Sequence, residues 1–76
     1  MSEKLPRITA DDVIKVLKKT GFSFSRQSGS HKIYKNRNGR RVTVAYHAGK
    51  ILHPKIISMI LRDADLTVEN FKKLLV

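Results

Sequence analysis

Apolar residues in the first third of the chain recur at helical spacing. Ala10, Val13, Ile14 and Leu17, with Val16 beside them, form one apolar face. Thr9 is the N-cap candidate, its hydroxyl placed to accept from the Asp12 N–H, and Asp11 and Asp12 lie at the positive end of the helix dipole. Ile8 and Val13 occupy staple positions across the cap. Lys18 and Lys19 fill the last turn and Gly21 supplies a left-handed terminator, so the pattern predicts a helix over about residues 10–20.

The period then changes from helical to alternating. Phe22-Ser23-Phe24-Ser25-Arg26 reads as a strand broken by Ser28-Gly29. His31–Lys35 and Arg41–Tyr46 read as two more strands, joined through Asn36–Arg40, where Asn38-Gly39 tolerates positive φ. Strict alternation puts His31 with Ile33 on one face and Lys32 with Tyr34 on the other. Either face can meet the core, and a bulge at Gly29 would reset the parity. His47-Ala48-Gly49-Lys50 turns the chain, and Pro54 suits the first turn of a second helix, Pro54–Ala64, striped by Ile56, Ile57, Ile60, Leu61 and Ala64. Leu66-Thr67 repeats the cap-and-staple arrangement with Phe71, which starts a short last helix carrying Leu74 and Leu75. The order α-β-β-β-α-α, with an antiparallel three-stranded sheet, predicts an α+β fold.

At 76 residues the chain is expected to be one domain, 1–76, with an ordered core over about 8–75. A single core of this size leaves about 3–5 kcal/mol of net stability and no room for a deep pocket. Met1-Ser2-Glu3-Lys4 has no signal-peptide core, no apolar run is long enough to span a bilayer, and there is no cysteine. These features predict a cytoplasmic protein with no membrane partner, monomeric when free.

Charge sharpens the picture. The formal net charge is +10, and no Asp or Glu occurs from Val13 through Arg62. Such a surface draws polyanions. Arg26, Lys35, Arg37, Arg40, Arg41, Lys50 and Lys55 are the candidate RNA contacts, and Tyr34 is a candidate base-stacking ring. Within this field Ser28-Gly29-Ser30-His31 delivers an imidazole, whose ordinary charge change falls near about pH 6.5. His31 is either an inert strand histidine or an acid/base that takes a proton from a ribose 2′-hydroxyl or gives one to the leaving 5′-oxygen. Lys32, Arg26 or Arg41 would steady the charge on phosphorus. His47, at the end of the third strand, is a second candidate imidazole, while His53 reads as a helix-start residue. The histidine spacings match no common zinc pattern and acids are few, so no metal and no cofactor are expected.

Gly21-Phe22, Arg26-Gln27-Ser28-Gly29-Ser30-His31-Lys32-Ile33-Tyr34, Val42-Thr43-Val44, His47 before Gly49-Lys50, and Ile60-Leu61-Arg62-Asp63-Ala64-Asp65-Leu66-Thr67 together resemble the HicA toxin family. The resemblance runs from Thr9 to Leu75. It implies a double-stranded-RNA-binding-domain-like α-β-β-β-α fold with a short extra C-terminal helix. It further implies the toxin of a type II toxin–antitoxin system: an endoribonuclease that cuts mRNA and is neutralised by a HicB-type antitoxin. The family's catalytic Gly-Ser-His motif falls on Gly29, Ser30 and His31. Two departures from the family pattern stand out: Ala45 stands where a proline is frequent, and Lys55-Ile56 where a Gly-Thr pair enters the helix. A non-catalytic RNA-binding module is the first alternative. A DNA-binding regulator ranks below it, because the second helix offers no Asn or Gln to base edges.

Overall fold

The computed structural model describes residues 7–75; the Met1-Ser2-Glu3-Lys4 segment lies outside the described residues. The chain runs α1 (Ala10–Lys19), β1 (Ser23–Ser28), β2 (His31–Lys35), β3 (Arg41–Ala45), α2 (Pro54–Asp63) and α3 (Val68–Leu75). The strands form one antiparallel sheet in the order β1-β2-β3. This is the expected α+β architecture.

Local chemistry starts each helix. Thr9 and Asp12 form a full capping box: the Asp12 N–H donates to Thr9 Oγ1 at 3.3 Å, and the Thr9 N–H donates to Asp12 Oδ2 at 3.0 Å. Ile8 and Val13, the staple pair, are both buried. His53 caps α2, its Nδ1 accepting from the Lys55 N–H at 3.0 Å, with Pro54 following in the first turn. Thr67 caps α3 by accepting from the Asn70 N–H at 3.0 Å, and Phe71 is fully buried at its staple position.

The core lies between the helices and one face of the sheet. Val13, Val16 and Leu17 of α1, Tyr34 of β2, Val42 and Val44 of β3, Ile57 and Leu61 of α2 and Phe71 of α3 belong to one buried cluster. Leu52 donates its N–H to the Ile8 carbonyl at 2.7 Å, and Thr9 bridges Ile51. These bonds tie the strand-like approach to α1 against the approach to α2.

Two details of the sheet differ from the sequence reading. β1 extends through Ser28, so the β1–β2 connection is the two-residue turn Gly29-Ser30. Gly29 at φ +58° is the first central residue, which matches the glycine-first preference of type II′ hairpins. The bulge lies between Phe24 and Arg26 rather than at Gly29. In the other hairpin, Asn36 Oδ1 accepts from the N–H groups of Asn38 and Arg40 at 3.1 and 2.9 Å, closing the turn as its composition predicted.

Candidate functional site

Register decides what His31 meets. Ser28, His31 and Ala45 lie opposite one another across the three strands, as do Arg26, Ile33 and Thr43, and Ser23, Lys35 and Arg41. Paired residues share a face, so these nine form the side of the sheet away from the core. The intervening rows, Gln27-Lys32-Val44 and Phe24-Tyr34-Val42, form the core side. Without the bulge, Phe24 and Arg26 would lie on the same side. With it, Phe24 meets the Tyr34 ring edge-on at 5.8 Å, while Arg26 and Ser28 join His31.

That outer face gathers His31, Arg26, Lys35 and Arg41, all exposed, around Ile33, which is 8% exposed. The field is positive, and its one imidazole sits at the start of a strand next to a two-residue turn. Gln27 Nε2 donates to the Gly29 carbonyl at 2.9 Å, and the Tyr46 N–H donates to the Ser30 carbonyl at 2.7 Å. Both bonds fix the turn that carries His31.

Beside the imidazole, the outer face meets α2 across a groove of about 270 Å³. His31, Thr43 and Ala45 form its sheet wall, and Ile56, Met59, Ile60 and Asp63 its helical wall. Thus α2 serves two surfaces. Ile57, Leu61 and Ala64 enter the core, whereas Ile56 and Met59 are 40% and 52% exposed. Ile56 therefore departs from the buried stripe expected for it. The Arg40 guanidinium donates to the Asp63 carbonyl at 2.9 Å, anchoring the β2–β3 hairpin to the end of α2.

Other candidates fall elsewhere. Lys32, expected to support charge beside His31, lies on the core side, its Nζ 3.8 Å from the centre of the Tyr46 ring. The Tyr46 hydroxyl donates to Asp11 Oδ2 at 3.3 Å, and that bond is the main reason its pKa is raised. Tyr34, expected to stack on bases, is 3% exposed and packed in the core; burial raises its phenol pKa first, with Asp11 adding to it. A ring so placed offers no free face. His47 is exposed in the turn after β3, where its carbonyl accepts from the Lys50 N–H at 3.0 Å, and it does not line the groove. Arg37 is exposed in the β2–β3 turn, Lys50 in the turn after β3, and Lys55 in the first turn of α2.

The sequence reading missed Thr43, Met59 and Asp63 as neighbours of His31. One signal was present: Ile56, Ile57, Met59, Ile60 and Leu61 are too many apolar residues for a single narrow stripe on a ten-residue helix. Among the described residues, no group of three or more His, Cys, Asp or Glu is placed to hold a metal ion, and no helix is long and apolar enough to cross a membrane.

No curated protein matches the chain. A family model does, that of the HicA toxin of bacterial toxin–antitoxin systems, over residues 10–66.

Proposed function

The chain belongs to the HicA toxin family and so is the toxin of a toxin–antitoxin pair; from that premise we propose that it is an endoribonuclease in which His31 handles the proton. The substrate supplies the nucleophile. The ribose 2′-oxygen bonds to the adjacent phosphorus as the P–O5′ bond breaks, leaving a 2′,3′-cyclic phosphate and a 5′-hydroxyl. His31 takes the 2′-hydroxyl proton or delivers one to the departing 5′-oxygen. Arg26, Lys35 and Arg41 hold the RNA backbone and offset the charge that builds on phosphorus. No step requires a metal.

One observation carries this reading: the register sets an exposed His31 on the same sheet face as Arg26, Lys35 and Arg41. The substrate is mRNA, presented single-stranded, because an open face of this kind reaches unpaired nucleotides more readily than a duplex groove. The antitoxin is a HicB-type protein whose acidic surface covers this face and His31. Their association weakens as salt rises, since exposed charge pairs are screened.

The test is incubation of single-stranded RNA with the wild-type chain and with His31→Ala, both in chelator. His31 is exposed, so the replacement leaves the core intact and an unchanged circular dichroism spectrum is expected. Cleavage by the wild type, with binding but no cleavage by the variant, is the predicted outcome. Undiminished cleavage by the variant removes His31 from the chemistry. Binding without cleavage by both makes the protein an RNA-binding module instead.

A further inference from the structure

The groove beside His31 contains a residue that the handling of phosphate does not use. Asp63 is the first acid after Asp12 in the chain, and it ends α2. A carboxylate is unfavourable at a helix C-terminus, where the dipole is negative, and it repels phosphate. Asp63 nevertheless lines the groove that opens on His31. Such a group can serve only an uncharged or donor-bearing part of an RNA chain.

The remaining walls fit a base. Ile56 and Met59 present exposed apolar surface, and a methionine sulfur makes favourable contacts with aromatic rings. The volume, about 270 Å³, lies just under the range of roughly 300–1,000 Å³ typical of small-molecule pockets, which suits one flat ring system. A carboxylate only accepts hydrogen bonds. Guanine is the one standard base whose Watson–Crick edge sets two N–H donors side by side, N1–H and N2–H, matching the two oxygens of a carboxylate.

The geometry points to a guanine subsite: the base next to the cleaved bond lies against Ile56 and Met59, facing the sheet wall, and donates to the Asp63 carboxylate. That the base flanks a cleaved bond rests on the ribonuclease reading above; that guanine occupies the groove does not. A bidentate contact of this kind discriminates by roughly 5–150-fold.

Two measurements separate the ideas. In the first, the full-length chain is titrated with guanosine 5′-monophosphate and with adenosine 5′-monophosphate while the Ile56 and Met59 methyl resonances are followed. Guanosine monophosphate shifts both methyls at lower concentration, and Asp63→Ala abolishes the difference. Asp63 is exposed, so this variant keeps the fold. Methyls that do not move, or that respond equally to both nucleotides, overturn the subsite. In the second, RNAs that vary only in the nucleotides flanking the cleaved bond are cut by the wild type and by Asp63→Asn. The wild type prefers guanine on one side, and the variant loses that preference because its cleavage of the guanine RNA falls, by roughly 5–150-fold, to the rate of the other RNAs. Cleavage with no base preference sinks the subsite and leaves the ribonuclease reading standing. Guanine-selective methyl shifts with no cleavage do the reverse.

Discussion

Replacing Phe71 by Ala is expected to leave the domain at the edge of unfolding. Phe71 lies in α3, which begins after the family match over residues 10–66 ends, yet its side chain is 0% exposed in the common core. An aromatic ring buries roughly 150–250 Å². At about 25 cal/mol per Å² this stabilises by about 4–6 kcal/mol, and buried Phe→Ala changes cost about 3–5 kcal/mol. The whole domain has only about 3–5 kcal/mol to lose. Phe24 is the internal control: it is 52% exposed, and its recognised contact is the edge-on Tyr34 ring at 5.8 Å. Such ring pairs contribute about 0.5–1.5 kcal/mol, so Phe24→Ala should cost about 1 kcal/mol. Far-UV circular dichroism during thermal unfolding reads both. At about 4–8 °C per kcal/mol, Phe24→Ala lowers Tm by about 4–8 °C. Phe71→Ala lowers it by at least about 12 °C or abolishes the transition. A Phe71→Ala loss no larger than that of Phe24→Ala would refute the placement of α3 in the core.

Other outcomes follow from the same contacts. Thr9→Ala removes the acceptor for the Asp12 N–H and should cost about 1 kcal/mol in urea unfolding, while Asp11→Asn, outside the capping box, costs less. Arg26→Gln and Arg41→Gln should each reduce the slope of log binding against log salt for single-stranded RNA by about 0.7, whereas Lys32→Gln, on the core side, leaves it unchanged. At alkaline pH the sign is fixed by Tyr34 and Tyr46, whose pKa values are raised above 10.0 in the fold. The folded state favours their protonated forms, so this stabilisation is complete below the unfolded value and is lost as pH climbs through the raised ones. Denaturation followed above pH 10 should show the loss, and Tyr34→Phe should reduce it.

The helices were legible because their ends are written in local chemistry. Thr9 with Asp12, Pro54, and Leu66-Thr67 with Phe71 each specify a boundary from a few adjacent residues. The Asn36–Arg40 hairpin was legible for the same reason. The face of His31 was not. Ile33 and Tyr34 are consecutive apolar residues, so alternation alone does not choose between them, and both proved buried, on opposite sides of the sheet. The bulge after Phe24 has no glycine to announce it; it is set by pairing with β2, a long-range contact. Asp63 is the last residue of α2, and the sequence shows it only as an acid near the end of that helix. Its place beside His31 depends on how α2 packs against β3, and no periodicity encodes that distance.

The central claim is that His31, on a basic sheet face, transfers a proton while the 2′-oxygen of the RNA displaces the 5′-oxygen. Analysis of product ends tests it most directly. A defined single-stranded RNA is cut in chelator by the purified chain, and the new termini are identified by mass. The account predicts 2′,3′-cyclic phosphate and 5′-hydroxyl ends from the wild type, and no such ends from a folded, RNA-binding His31→Ala. Fragments ending in 3′-hydroxyl and 5′-phosphate, or cyclic phosphates still formed by the variant at the wild-type rate, would contradict it.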